Sequence, residues 1–141
     1  MKPNKRMIFR RGRRRRARGS TVVEFAVVLP LLMTILFGII EFGWMFSIRQ
    51  SLQNAAREGC RLAVLKTTVD PYTNVIDRIT SMLEPLGITP TIVLTHAVEG
   101  NPIETVSVTV PAADVSLVGS FFGPNDYNLG GKCSMRKEGV E

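Results

Sequence analysis

The apolar run from Phe25 to Phe46 constrains this chain more than any other feature. As an α-helix rising 1.5 Å per residue it measures about 33 Å, enough to cross the hydrocarbon core of a bilayer. Pro30, Thr34, Gly38, Glu41 and Gly43 interrupt the run without ending it. Pro30 removes one backbone donor and predicts a kink, which membrane helices tolerate. A secretory signal peptide would have an apolar core of only about 7–15 residues and a small-residue site after it. This run is longer, and Asn54-Ala55-Ala56 is a poor site. The arginines before it form an undifferentiated cluster, which does not make a twin-arginine signal.

Charge gives the run a direction. The formal charge of +6 would suit a nucleic-acid binder if it were spread over a folded surface. It is not. Residues 1–19 carry ten basic side chains and no acid, while the other 122 residues carry 8 basic and 12 acidic ones, a net of −4. No aromatic interleaving or helix-turn-helix signal accompanies the arginines, so nucleic acid is not an expected partner. A basic segment directly before an apolar helix holds its end in the cytoplasm and can touch anionic lipid. After the run, residues 47–65 contain only Arg49, Arg57 and Arg61 as basic residues. The expected topology is single-pass, with a cytoplasmic N-terminus and an extracytoplasmic C-terminal part. Both cysteines, Cys60 and Cys133, then fall in an oxidising compartment. A bond between them would close a long loop, worth about 4 kcal/mol in the chain-entropy model. Unpaired thiols and intermolecular bonds remain alternatives.

Beyond the run, Ile48, Leu52, Ala55, Ala56, Cys60, Ala63 and Val64 recur every three or four residues, with Arg49, Gln53, Arg57 and Arg61 on other faces. That spacing predicts an amphipathic continuation of the same helix. About 75 residues remain for a small compact unit. Asp70-Pro71 reads as a helix start, with Asp70 the cap. Val75, Ile76, Ile79, Met82, Leu83 and Leu86 supply one apolar face, and Pro85-Leu86-Gly87 ends it. Two alternating stretches follow, Thr91 to Val98 and Thr105 to Val110, joined by the hairpin residues Glu99-Gly100-Asn101-Pro102. Gly119 to Gly131 reads as a loop anchored by Phe121, Phe122 and Tyr127, and Lys132 to Lys137 as a last short strand. The expected class is α+β: a long N-terminal transmembrane helix continuing into one helix and an antiparallel sheet. The expected segments are a basic leader at 1–19, the membrane helix at 20–48, a helix extension at 49–68 and a small domain at 69–141.

Nothing in the pattern suggests catalysis or a cofactor. Asp70, Asp77, Asp114 and Asp126 show no paired arrangement for acid–base work. No phosphate loop or nucleophile elbow is present. His96 is the only histidine and has no second ligand for a metal. The chemistry-bearing feature is the junction itself. Glycine 19 follows the arginine cluster, and Glu24 lies five residues on, in the first turns of an apolar helix. A carboxylate costs roughly 2.5–3.5 kcal/mol near the centre of a membrane helix and less toward its ends. Its presence calls for a partner.

A basic flank, Gly19, four small or apolar residues, Glu24 and then Phe25 resembles a type IV prepilin cleavage site. The stretches 19–30, Gly38-Ile39-Ile40-Glu41-Phe42-Gly43 and Ala55-Ala56-Arg57-Glu58-Gly59 are similar to TadE-like pseudopilins of bacterial tight-adherence (Flp) pilus systems. The resemblance covers about residues 19–65, with only a general likeness further on that includes the terminal stretch from Cys133 to Glu138. It implies cleavage between Gly19 and Ser20 by an inner-membrane prepilin peptidase, with Glu24 and Phe25 in recognition and assembly. It also implies that Glu24 pairs with the free N-terminal amine of a neighbouring subunit. Such pairing reduces the desolvation cost that each charge meets in lipid. Pro30, Gly38, Glu41 and Gly43 are the candidate helix-packing positions. The implied partners are other pilins and pseudopilins, the inner-membrane assembly platform and membrane lipid. Ser20 departs from the aromatic first residue of many major type IV pilins, and N-methylation there is left open. Major Flp pilins are shorter, which favours a minor subunit, held in the inner membrane or incorporated into a pilus. The alternatives are an uncleaved single-pass anchor with a periplasmic interaction domain, and a secreted domain released beyond Ile48.

Overall fold

The computed structural model describes residues 15–65, 71–123 and 125–137. The proposed cap Asp70 and the leader before Arg15 lie outside the described residues. The chain is α+β, with helix α1 (Arg15–Ala63), helix α2 (Pro71–Leu83), strands β1 (Thr91–Thr95) and β2 (Ile103–Pro111) and strand β3 (Asn128–Arg136) in the order expected, and with a short helix α3 (Ala112–Val115) after β2 that the sequence pattern does not announce. Single 3-10 turns lie at Glu84–Leu86 and Gly119–Phe122.

Helix α1 has 49 residues, about 74 Å at 1.5 Å per residue, and stays helical through Pro30. The Thr34 hydroxyl donates to the Pro30 carbonyl at 2.8 Å. One helix of the described residues is long and apolar enough to cross a membrane, and it is this one. Its side chains from Val22 to Ile40 are largely exposed, as befits a surface meant for lipid or for other helices.

The chain divides into two compact units between Phe37 and Gly38, inside α1. In the unit that begins at Gly38, the stripe Met45, Ile48, Leu52, Ala55, Ala56, Cys60 and Ala63 is buried. The expected amphipathic extension is therefore the central core helix of this unit. Val75, Ile79 and Leu83 of α2 and Val106, Val108 and Val110 of β2 close over it. The apolar face of α2 is narrower than its sequence suggests, because Ile76 and Leu86 are exposed. The three strands are antiparallel in the order β1-β2-β3, so β2 is central and supplies the fully buried valines. The hairpin between β1 and β2 is closed by paired backbone bonds of Val98 and Asn101, with Gly100 at φ 82°.

Strand β3 begins at Asn128, not Lys132. The glycines that suggest a loop, Gly130 and Gly131, pair with Thr109 and Val108 of β2. Their reason is packing. A Cβ at Gly131 would lie 2.5 Å from the Gln53 nitrogen, the Gln53 Cα and the Leu52 carbonyl carbon. Glycine within a strand marks a place where another backbone approaches closely. Here the neighbour is α1. The Gln53 amide reinforces the contact, its Nε2 donating to the Lys132 carbonyl at 3.0 Å while its Oε1 accepts from the Lys132 N–H at 3.3 Å.

Candidate functional site

Gly19 and Ser20 lie inside α1. The Ser20 hydroxyl donates to Glu24 Oε1 at 3.0 Å, one helical turn on, and both residues are exposed. A serine hydroxyl is a neutral donor that leaves the other carboxylate oxygen accessible. A Cβ at Gly19 would meet nothing within 4 Å. Packing therefore gives no reason for glycine at position 19.

Of the four candidate packing positions, Pro30 is exposed on the helix of the first unit. Within the unit that begins at Gly38, Gly38 and Glu41 face the segment that follows β2, whereas Gly43 does not. A Cβ at Gly38 would meet the Phe122 ring edge at 3.5 Å, and one at Gly43 would meet nothing within 4 Å. Glu41 is 2% exposed, and both of its carboxylate oxygens are used. One accepts a short bond from the Ser116 hydroxyl. The other accepts the Leu117 N–H at 3.0 Å and the Val118 N–H at 3.1 Å. Around it, the Trp44 indole N–H donates to the Val115 carbonyl at 2.8 Å, and the Tyr127 hydroxyl donates to Met45 Sδ at 3.1 Å. Glu41 is thus an anchor that fastens residues 116–118 to α1, more than a residue marking the boundary of an apolar run. Its spacing to Met45, Ile48 and Leu52 is the signal in the sequence that it belongs to the buried stripe.

Cys60 and Cys133 are free thiols that come together, on α1 and β3. Cys60 is fully buried. Burial first, then the hydrogen bond with the Cys133 thiol, pushes its thiol up to about 12 from an ordinary 9.0. A thiol held protonated in this way is a poor nucleophile. Maleimide at neutral pH should leave Cys60 unmodified in the folded, reduced chain and label it after denaturation, as peptide mass mapping will read. Because the folded state holds this proton more tightly, the contribution of Cys60 to stability is complete below pH 9.0. It falls as pH rises from there toward about 12.

Sequence reasoning missed Glu104. It lies on β2 in phase with Val106, Val108 and Val110, is fully buried, and accepts from the Ala97 N–H at 2.9 Å. Its other oxygen is 3.1 Å from His96 Nδ1. His96 also packs against the Tyr72 ring, with centroids 3.9 Å apart. The histidine is therefore partnered by a carboxylate and an aromatic ring. On α1, Arg61 grips Glu58 through two bonds of 3.0 and 2.9 Å, which holds the Glu58 carboxyl below its usual range. Among the described residues, no group of three or more His, Cys, Asp or Glu side chains could hold a metal ion.

Comparison with known proteins bears on the helix. The profile of the family described as TadE-like protein matches residues 19–61, which agrees with the resemblance read from the residues. No curated protein and no solved structure gives a significant match. The matched segment starts at Gly19, contains Glu24, Gly38, Glu41 and Cys60, and ends at Arg61 in the last turns of α1. The chain therefore carries a TadE-like segment on an apolar helix that fits a single-pass membrane protein, and this suggests a protein associated with the Tad pilus.

Proposed function

We propose that this chain is a minor, pilin-like subunit of a tight-adherence pilus, made as a precursor and cut between Gly19 and Ser20 by a prepilin peptidase. The observation that carries the reading is the TadE-like match beginning at Gly19, with Glu24 five residues into the helix. The bond to be cut lies in a helical stretch, where backbone groups are bonded to one another. A peptidase must unwind it. Glycine lowers that barrier, since it is worse than alanine in a helix interior by about 1 kcal/mol. Its lack of a packing role leaves the position free to serve the enzyme.

Cleavage replaces a +10 leader by a single ammonium on Ser20. In lipid, that ammonium and a neighbouring subunit's Glu24 are each strongly destabilised alone and much less so when paired. Cutting thus creates a cationic partner for Glu24, and it couples processing to assembly. The exposed apolar helix mediates contacts with other pilins, and the unit beginning at Gly38 presents its surface outside the cytoplasm. In that oxidising compartment Cys60 and Cys133 form an intramolecular bond. Each thiol gives up its proton, and two electrons pass to a disulfide-bearing oxidant.

Replacing Gly19 with Phe tests the reading, because a Cβ added there meets nothing within 4 Å and the residue is exposed. In cells with the peptidase, the Gly19→Phe chain should accumulate as full-length precursor, visible as a slower band beside the processed parent. Equal mobility of parent and variant would instead favour an uncleaved anchor.

A further inference from the structure

The segment from Ala112 to Gly123 folds beside α1 at the end of the apolar run. Glu41 binds its backbone at Leu117 and Val118, and the Phe122 ring lies against Gly38. Gly38 to Glu41 precede Phe46, the last residue of the run, by five to eight positions, or about 8–12 Å along the helix. The segment therefore sits alongside residues of the apolar run itself.

Its surface matches that place. Leu117 is 58% exposed and Phe121 66%, and Ile39, Ile40, Phe42 and Phe46 in the same stretch of α1 as Gly38 and Glu41 are also exposed. From Ala112 to Gly123 the only charged residue is Asp114, at the far end from Phe121. Several polar groups that a lipid environment would penalise are satisfied internally. The N–H groups of 117 and 118 go to Glu41, and the Val115 carbonyl takes the Trp44 indole N–H. Irregular backbone at membrane depth is tolerated only where it is buried in protein or lines a water-filled cavity, and these bonds hold the backbone of residues 115–118 against α1. Trp44 and Tyr127, each with an apolar body and a polar tip, flank the segment as interfacial aromatic residues do.

We infer that the loop at 116–123 is a membrane-inserting element, with Leu117 and Phe121 embedded in the extracytoplasmic leaflet beside the end of the α1 span. Glu41 is the positioning residue, because its carboxylate turns the loop's polar backbone inward and leaves its apolar side chains facing lipid. The occupant of this face is lipid, since the loop packs on Gly38 and Glu41 of the apolar run and carries no charged residue from Val115 to Gly123. The inference rests on the reading of α1 as a membrane span.

Photo-crosslinking of the full chain in phospholipid nanodiscs tests it. A benzophenone amino acid is placed singly at Phe121, at Leu117, at Val27 within the apolar run, and at Val98 on the exposed hairpin. Phe121 and Leu117 should give adducts heavier by one phospholipid, as should Val27, while Val98 should not. Leu117 provides an independent reading if the Phe121 variant fails to fold. Lipid adducts at Val27 with none at either loop site would overturn the inference and leave the span intact. No lipid adduct at any site would remove the span reading and the inference with it. Crosslinks from the loop to a second copy of the chain would assign this face to subunit contacts and also overturn it.

Discussion

Replacing Gly131 with alanine should unfold or severely weaken the unit that begins at Gly38. The new methyl group would lie 2.5 Å from three backbone atoms of Gln53 and Leu52, and backbone cannot rotate away as a side chain can. Strand β3 would have to lift from α1. That movement breaks the Gln53–Lys132 bonds and opens the core beneath Val108, the β2 partner of Gly131. Overpacking costs about 1–3 kcal/mol and occasionally more, and this site belongs at the upper end. Gly59→Ala is the informative contrast. There the closest atom, at 2.7 Å, is Cδ1 of Ile79, the end of a side chain that can change rotamer. The strain is offset by about 1 kcal/mol of helix propensity gained over glycine. Thermal unfolding of the detergent-solubilised chain should show a large loss for Gly131→Ala and a small change for Gly59→Ala.

Removing the Glu41 carboxylate should release the loop at 116–123 while leaving the sheet intact. Glu41→Ala leaves the Leu117 and Val118 N–H groups without their acceptor and the Ser116 hydroxyl with only the Gly119 carbonyl, at 3.2 Å. A hydrogen bond to a charged group contributes about 1.5–3 kcal/mol, although three bonds to one carboxylate do not add independently. Relief of the buried charge returns part of the loss. The net effect expected is about 2–3 kcal/mol of local stability. Hydrogen exchange should show the amides of Leu117 and Val118 losing protection, while those of β2 and β3 keep theirs. Glu41→Gln, which retains one acceptor oxygen, should fall between.

These two sites differ in how far the sequence reveals them. The continuation of α1 is legible because a three-to-four spacing of Ile48, Leu52, Ala55, Ala56, Cys60 and Ala63 places all six on one helical face. The buried valines of β2 are legible in the same way at a period of two. Glu104 shares that period and is hidden by its charge, since a buried carboxylate is expected only where a partner is known. Gly131 is misleading in one dimension, where glycine signals a turn. Its close approach to Gln53, 78 residues earlier, exists only in the fold. Glu41 lies in phase with the buried stripe, yet its partners come from groups 75 to 77 positions further along. The junction at Gly19 is the opposite case. Its composition and spacing are plain in the sequence, while the fold adds only that glycine is unnecessary there for packing.

Gly19 is also where the functional account is most exposed to test. Intact-mass measurement of the chain isolated from membranes that contain a prepilin peptidase reads the processing state directly. The account predicts a species beginning at Ser20, lighter by residues 1–19. A species that retains those residues would contradict it.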